Sequence, residues 1–257
     1  MFESSIAGIT IQAPQLDINT VAAGGGSILK FCAGMFIVGP QSAGAMPGPT
    51  CYRQGGPLSV TDANVFLGRV RPEFFPAIFG PEKNQTLDVT AARAGFESLT
   101  AEVNAFRRAQ GGQQQPDMSA EEVALGFIRV ANEAMCRPVR ALTQAKGYDT
   151  SRHVLSCFGG AGPQHACAIA ASLGITRVHI SRYSSVLSAF GLAMAEVVTE
   201  RQRPCARELN MASFPILEES IAQIARECVE KLQADGFAMD HIQGEIQNKK
   251  EERRLKG

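Results

Sequence analysis

Residues 154–180, VLSCFGGAGPQHACAIAASLGITRVHI, decide how this chain is read. Val154, Leu155, Ser156, Cys157 and Phe158 form a short apolar run ended by glycine, the pattern of a buried strand in an α/β sheet. Gly159, Gly160 and Gly162 supply backbone freedom and let a ligand approach the main chain. Pro163 suits the first position of a helix, where its missing N–H costs nothing, and Gly174 is placed to end that helix before a second strand over 175–180. A strand, a glycine turn and a helix N-terminus together make an anion or ribose site, because free amides converge there with the positive end of the helix dipole. The turn is neither G-x-G-x-x-G nor a P-loop, since no Gly-Lys-Ser/Thr follows. Local spacing leaves two readings open, a nucleotide contact and a tight structural turn, of which the second is the commoner.

The remaining composition sets bounds on both. With 257 residues, 45% of them hydrophobic, the chain can bury a core and hold one large domain or two smaller ones. Twenty-five basic residues balance twenty-five acidic ones, so no overall field draws it to nucleic acid or to an anionic membrane. No stretch reaches the roughly 18 apolar residues of a membrane span, and residues 1–13 lack a basic region followed by an apolar run. The seven cysteines are scattered, mostly among apolar neighbours and without a C-x-x-C pair, which predicts reduced core thiols and a cytosolic compartment. Cys157, His165 and Cys167 cluster around the glycine turn; two packed thiols and a turn histidine are the commoner reading there, a metal site the rarer one.

Upstream, residues 6–11, 20–23 and 36–38 read as strands, separated by Gly24-Gly25-Gly26-Ser27 and followed by an irregular Pro- and Gly-rich segment over 39–57. Residues 58–60 read as a strand before Thr61-Asp62-Ala63-Asn64, where Asp62 is placed to cap a helix, with ligand contact as the lesser alternative. An amphipathic helix is expected over 89–106, then a polar surface loop over 110–117. Ser119 and Glu122 form a capping box opening a strongly periodic helix, which Pro138 should kink or interrupt. Around that break Asn132, Glu133, Arg137 and Arg140 read as a solvated face, or as groups reaching a cleft. Two further helices are expected: 184–198, with Ser188 and Gly191 one turn apart, and 215–236, with Leu217, Ile221, Ile224, Cys228 and Leu232 on a buried stripe. Residues 247–257 read as a polar, disordered tail.

Four segments taken together, TVAAGGGS at 20–27, VGPQSAGAMPGPTCYRQGGPLSVTDAN at 38–64, FIRVANEAMCRPVRALT at 127–143 and CFGGAGPQHACAIA at 157–170, resemble the hydantoinase A/5-oxoprolinase family, in particular its eukaryotic-type ATP-hydrolysing branch. The resemblance runs over about residues 2–246, in order and without large gaps. It implies an α/β fold: a partial actin/sugar-kinase/Hsp70-like (ribonuclease-H-like) ATPase lobe, the second of two, with 1–246 as an incomplete domain. It also implies ATP and Mg²⁺ as cofactors, and hydrolysis of 5-oxo-L-proline or a related lactam to the open amino acid, L-glutamate in glutathione turnover. A lactam amide is a poor electrophile, and ATP supplies the driving force for opening it.

By the same resemblance Gly159, Gly160, Ala161, Gly162, Pro163 and Gln164 would form the adenosine side of the nucleotide cleft, while Gly24 to Ser27 and Asp62 to Asn64 would support that cleft without an assigned chemical step. The two Asp-Gly-Gly-Thr-like phosphate loops of such folds do not occur here; Gly24-Gly25-Gly26-Ser27 follows Ala23 and has no acidic partner. The chain is therefore expected to be an internal fragment, inactive alone, needing a first lobe and a C-terminal region of the same enzyme, with a homodimer also open and its catalytic residues unassigned. ATP-dependent hydantoinases and ketone carboxylases remain alternatives, as does a non-catalytic, partner-binding product. A Rossmann-type oxidoreductase is disfavoured, because the dinucleotide fingerprint is absent.

Overall fold

The structure is a computed structural model that describes residues 18–110, 116–205, 207–208 and 210–244, together with the backbone of 4–6 and 9–11. The chain divides into two compact units, Met1–Phe190 and Gly191–Gly257. The loop expected over 110–117 and the tail over 247–257 lie wholly or largely outside the described residues.

The first unit opens with strands β1 (Ser4–Ile6) and β2 (Ile9–Ile11), an antiparallel pair. Strands β3 (Ser27–Cys32) and β4 (Met35–Ser42) form a second hairpin, joined by Ala33 and Gly34, both at positive φ (49° and 80°). Two consecutive positive φ values are what a tight hairpin turn demands. Strand β3 and this turn escape a reading by sequence pattern, because Ala-Gly is not one of the usual turn pairs. Residues 20–23 and 58–60, read above as strands, are not. The latter contributes one bridge, Ser59 to Ile28, and the chain is helical from Val60 onward. The helix wins there because Ser59 and Asp62 form a capping box that Leu58 and Val60 on either side of Ser59 cannot outweigh.

Helices α1 (Val60–Phe66), α2 (Val89–Ala109) and α3 (Ala120–Leu142) surround the main core with β3 and β4. Val60, Ala63, Phe96, Val103, Val123, Phe127 and Ile128 are all but fully buried there. Each large apolar side chain so buried contributes about 1.5–3 kcal/mol. The Phe66 and Phe96 rings stack at 5.2 Å, fixing α1 against α2. Residues 43–57 are irregular apart from a 3₁₀ turn at Thr50–Tyr52, whereas 39–42, expected to be irregular as well, extend β4; cis peptides precede Pro40 and Pro47. Cys51, Val65, Phe79, Leu87 and Ala92 gather in a smaller satellite core.

The capping box of α3 is present, with Ser119 Oγ accepting from Glu122 N–H and the Glu122 carboxylate accepting from Ser119 N–H. Pro138, however, does not interrupt the helix. Packing on both sides holds it together: Cys136 and Val139 join Ala170, Leu173 and Ile175 in a third cluster, and the Glu133–Arg140 ion pair spans the proline.

Strand β5 (Val154–Cys157), helix α4 (Pro163–Ser172) and strand β6 (Arg177–Ile180) form a βαβ unit, the two strands parallel. Pro163 opens α4, and Gly174, at φ 71°, ends it in a Schellman turn in which Ile175 N–H reaches the Ala170 carbonyl at 2.9 Å. Strand β5 is not a buried strand. Its residues alternate between exposed and half-buried, because among the described residues β6 is its sole partner and α4 covers one face.

Helix α5 (Leu187–Met194) follows a 3₁₀ turn and is shorter than the expected 184–198. In the second unit α6 (Phe214–Ala234) matches its expected span, but its apolar stripe is only half-buried. The cysteines also depart from expectation: Cys51 and Cys136 are buried, whereas Cys32, Cys167 and Cys205 are exposed. Among the described residues no helix is long and apolar enough to cross a membrane.

Candidate functional site

Three glycine- or polar-rich segments, far apart in sequence, meet beside α3. The loop at Gly24–Ser27 is closed by Ser27, whose N–H donates to the Gly24 carbonyl at 3.0 Å and whose Oγ accepts from Gly24 N–H at 2.9 Å. Gly25 offers its carbonyl to Thr61, which donates both its N–H (2.8 Å) and its hydroxyl (3.0 Å) from the first turn of α1. A Cβ on Gly25 would stand 2.8 Å from Thr61 Oγ1 and 3.8 Å from the Ala161 methyl group, so this loop touches both α1 and the Gly159–Gly162 turn.

Asp62 is wholly buried, and its carboxylate is consumed by the backbone. Oδ1 accepts from Cys51 N–H at 2.7 Å; Oδ2 accepts from Thr50 N–H (3.1 Å), Ser59 N–H (2.8 Å) and Ser59 Oγ–H (3.0 Å). The capping role expected of Asp62 is therefore met, and the same carboxylate also pins the 50–51 backbone. Burial, followed by the negative charge of Asp62, pushes the neighbouring Cys51 thiol well above its ordinary value, so Cys51 is no nucleophile.

Two residues further along α1, Asn64 is also wholly buried. Its Nδ2 donates to Gln164 Oε1 at 3.0 Å and lies 3.3 Å from His165 Nε2. His165, in the first turn of α4, meets Asn132 Oδ1 of α3 through Nδ1 at 2.7 Å. Burial, with the charge of Arg69 adding to it, pushes the His165 imidazole below its ordinary value and keeps it neutral. Of the four polar residues expected around Pro138, Asn132 thus turns inward, while Glu133 and Arg140 pair at the surface. The joint roles of Asn64, Asn132 and His165 are not apparent from any one segment. The available signal was Asn132 itself, one helical turn after Ile128 and one before Cys136, a polar residue inside an apolar stripe.

His165 also borders a cavity of about 270 Å³ bounded by Gly24, Met135, Leu155, Gly162 and Ile169, among others. Its walls are chiefly aliphatic, with Ser156, Cys157 and His165 the polar exceptions. At the turn, Gly159 takes φ 86°, and a Cβ on Gly159 or Gly160 would meet nothing within 4 Å. A Cβ on Gly162 would strike the Phe158 carbonyl oxygen at 2.7 Å and Cys157 Sγ at 2.8 Å. Gly159 and Gly160 therefore leave the outer face of the turn open, whereas Gly162 is needed for packing.

This arrangement suits a flat, weakly polar group such as a purine ring, which needs apolar walls and a few oriented hydrogen bonds. It does not suit phosphates with Mg²⁺, because no carboxylate among the described residues lines the cavity. Among the described residues no group of three or more His, Cys, Asp or Glu could hold a metal ion, and the Cys157 thiol is raised by burial and then by Cys167.

Residues 1–201 match the family described as Hydantoinase/oxoprolinase. Over 245 residues the chain is 54% identical to 5-oxoprolinase 1 of Arabidopsis thaliana, covering 95% of this chain and 19% of that protein. It is 52% identical over 242 residues to a 5-oxoprolinase of Dictyostelium discoideum, covering 94% and 19%. The chain thus spans about a fifth of the length of these relatives. The crystal structure of an ATP-dependent caprolactamase from Pseudomonas jessenii superimposes with a TM-score of 0.65 at 29% identity, over 93% of this chain and 33% of that one.

Proposed function

The chain belongs to the hydantoinase/oxoprolinase family, and from that premise we propose that it is part of an ATP-dependent 5-oxoprolinase, a hydrolase that opens 5-oxo-L-proline to L-glutamate, and that it supplies the adenosine side of the nucleotide cleft. On this reading the first unit is a portion of an actin/sugar-kinase/Hsp70-like ATPase lobe. Gly159, Gly160, Ala161, Gly162, Pro163 and Gln164 border the adenosine. The observation that carries the reading is that Gly24, Met135 of α3, Ala161 and Gly162 of the turn and His165 of α4 line one apolar cavity, while α1 ties the loop and the turn together from outside it through Thr61 and Asn64.

ATP bound there would supply the driving force for lactam opening; this chain's own groups bind and orient the nucleoside. Met135, Leu155 and Ile169 offer walls for the base, and the open face over Gly159 and Gly160 lets the ligand lie against the backbone. Phosphate and Mg²⁺ ligands have to come from outside this cavity. The chain alone is accordingly expected to bind adenine nucleotide without turning it over.

Calorimetric titration of the purified chain with ATP, alongside a phosphate-release assay, tests this. Gly160→Ala is expected to melt like the wild type, since its methyl group enters open space, yet to bind ATP about tenfold more weakly, the loss of about 1.4 kcal/mol. Unchanged ATP affinity in a folded Gly160→Ala chain would sink the assignment. Stimulation of phosphate release by 5-oxo-L-proline in the full-length enzyme, and not by caprolactam, is the result expected for the substrate.

A further inference from the structure

The polar groups beneath the glycine turn form a hydrogen-bond chain whose direction is set from one end. Gln164 Nε2 lies 3.5 Å from the Gly160 carbonyl oxygen. That contact is long, but an oxygen placed there would face another oxygen, so the Gln164 amide turns its NH₂ outward and its Oε1 inward. Oε1 then accepts from Asn64 Nδ2 at 3.0 Å. The same NH₂ group reaches His165 Nε2 at 3.3 Å, so this nitrogen accepts and carries no proton. The imidazole proton therefore sits on Nδ1 and is donated to Asn132 Oδ1 at 2.7 Å. With the Gln164, Asn64 and Asn132 amides in these orientations, the neutral Nδ1–H form of His165 is the tautomer that satisfies both ring nitrogens.

The relay carries a cost. Asn64 Oδ1 is buried and has no hydrogen-bond partner among the described residues. Reversing the Asn64 amide would not remove that cost, since it would set Oδ1 against Gln164 Oε1 and leave NH₂ unpaired instead. A core arranged for packing alone would place an apolar side chain at such a junction.

We propose that Asn132, His165 and Asn64 are positioning residues which lock the Gln164 side chain with its NH₂ group toward the Gly159–Gly162 turn, so that the turn offers a donor and selects a hydrogen-bond acceptor on the bound nucleoside, a ring nitrogen or a ribose oxygen. The proposal rests on the reading of that turn as a nucleotide contact, and it makes a statement about the protein without ligand that can be tested separately.

Long-range ¹H–¹⁵N spectra of the ¹⁵N-histidine-labelled chain, recorded without nucleotide at neutral pH, report which imidazole nitrogen is protonated. Loss of one signal set in His165→Gln assigns it among the four histidines. His165 is expected as the neutral Nδ1–H tautomer. Asn64→Asp replaces the donor facing Nε2 with an acceptor and is expected to put a proton on Nε2. Asn132→Leu, which removes the acceptor at Nδ1 and leaves the Asn64 donor at Nε2, is expected to weaken the tautomer preference, and Asn132→Asp, which keeps an acceptor, to retain it.

Titrations with ATP then read the consequence. Asn64→Asp and Gln164→Ala are expected to weaken binding about tenfold, as for one lost hydrogen bond. Gln164 is half-buried on the surface of the turn, so its variant keeps the test valid if Asn64→Asp fails to fold. An Nε2–H tautomer in the wild type, or ATP affinity indifferent to Gln164→Ala, overturns the proposal. A wild-type chain that shows the Nδ1–H tautomer but binds no ATP refutes the nucleotide reading and leaves the relay established.

Discussion

Replacing Asp62 by Asn changes one atom of a side chain that accepts four hydrogen bonds. The carboxylate receives four hydrogen bonds, three from backbone N–H groups, and is fully buried. Asparagine keeps one acceptor oxygen. Its better orientation leaves that oxygen with Thr50 N–H, Ser59 N–H and Ser59 Oγ–H, and sets the new NH₂ against Cys51 N–H, 2.7 Å from the present Oδ1. An unsatisfied buried donor costs about 1–3 kcal/mol, and each retained bond falls from the charge-assisted range of about 1.5–3 kcal/mol to the neutral range of about 0.5–1.5. Relief from burying a charge offsets part of this. The expected net loss is about 3 kcal/mol, large for a single substitution. Urea unfolding of the chain measures the total, and amide exchange at Thr50, Cys51 and Ser59 locates it; those three N–H groups should lose protection ahead of the α2–α3 core. A variant within about 0.5 kcal/mol of the wild type, or one that loosens α3 first, would refute the view that this carboxylate ties α1 to the preceding loop.

Acid should weaken the first unit through His165. Its folded-state affinity for a proton is lowered by burial and by Arg69, so the unfolded chain takes up the proton first as pH falls. The corresponding stability is complete above the ordinary imidazole value of about 6.5 and is lost as pH falls from there toward the folded value, by up to about 1.4 kcal/mol per pH unit. Urea midpoints followed across that window should show a smaller slope in His165→Gln, and equal slopes would contradict the assignment. Gly25→Ala should cost about 1–3 kcal/mol, because its methyl group would sit 2.8 Å from Thr61 Oγ1; an unchanged melting temperature would mean the loop can leave α1 freely. Pro138→Ala restores a helical N–H within α3 and should stabilise the chain by about 1–3 kcal/mol in thermal unfolding. Destabilisation instead would mean that the packing of Cys136 and Val139 depends on the helix geometry that proline imposes.

The parts of this fold legible in the sequence are those whose cause is local. The Ser119–Glu122 capping box, the apolar stripe of α3 and the succession from β5 through the glycine turn to α4 each repeat a rule within a few residues, and each is found. Where sequence pattern misleads, distant groups decide. Residues 58–60 are a mixed case: Leu58 and Val60 suggest a strand although the Ser59–Asp62 capping box is local, and what lies beyond local pattern is that the Asp62 carboxylate also meets Thr50 and Cys51, twelve and eleven positions earlier. Pro138 looks like a break because the ion pair and the α4 contacts that hold both sides of it are tertiary. Strand β5 looks buried because its apolar residues are real, while the number of its neighbours is a property of the assembled sheet.

The candidate site shows the same division more sharply. Its glycines could be found by eye, since a run of them between a strand and a helix has few uses. The groups that give those glycines an orientation could not, because Asn64 and His165 stand 101 positions apart and Asn132 lies on a third element. Each read alone is ordinary: a residue after a helix cap, a histidine in a turn, an asparagine on a helix. Together they set polar groups at the junction of α1, α3 and α4, where aliphatic side chains of similar volume could pack without leaving an acceptor unpaired. A purely structural junction has no need of a directed chain ending on Gln164. A junction that must hold one amide with its donor outward does, and a buried Asn64 amide that keeps one atom unpaired in either orientation is the cost of placing that group there.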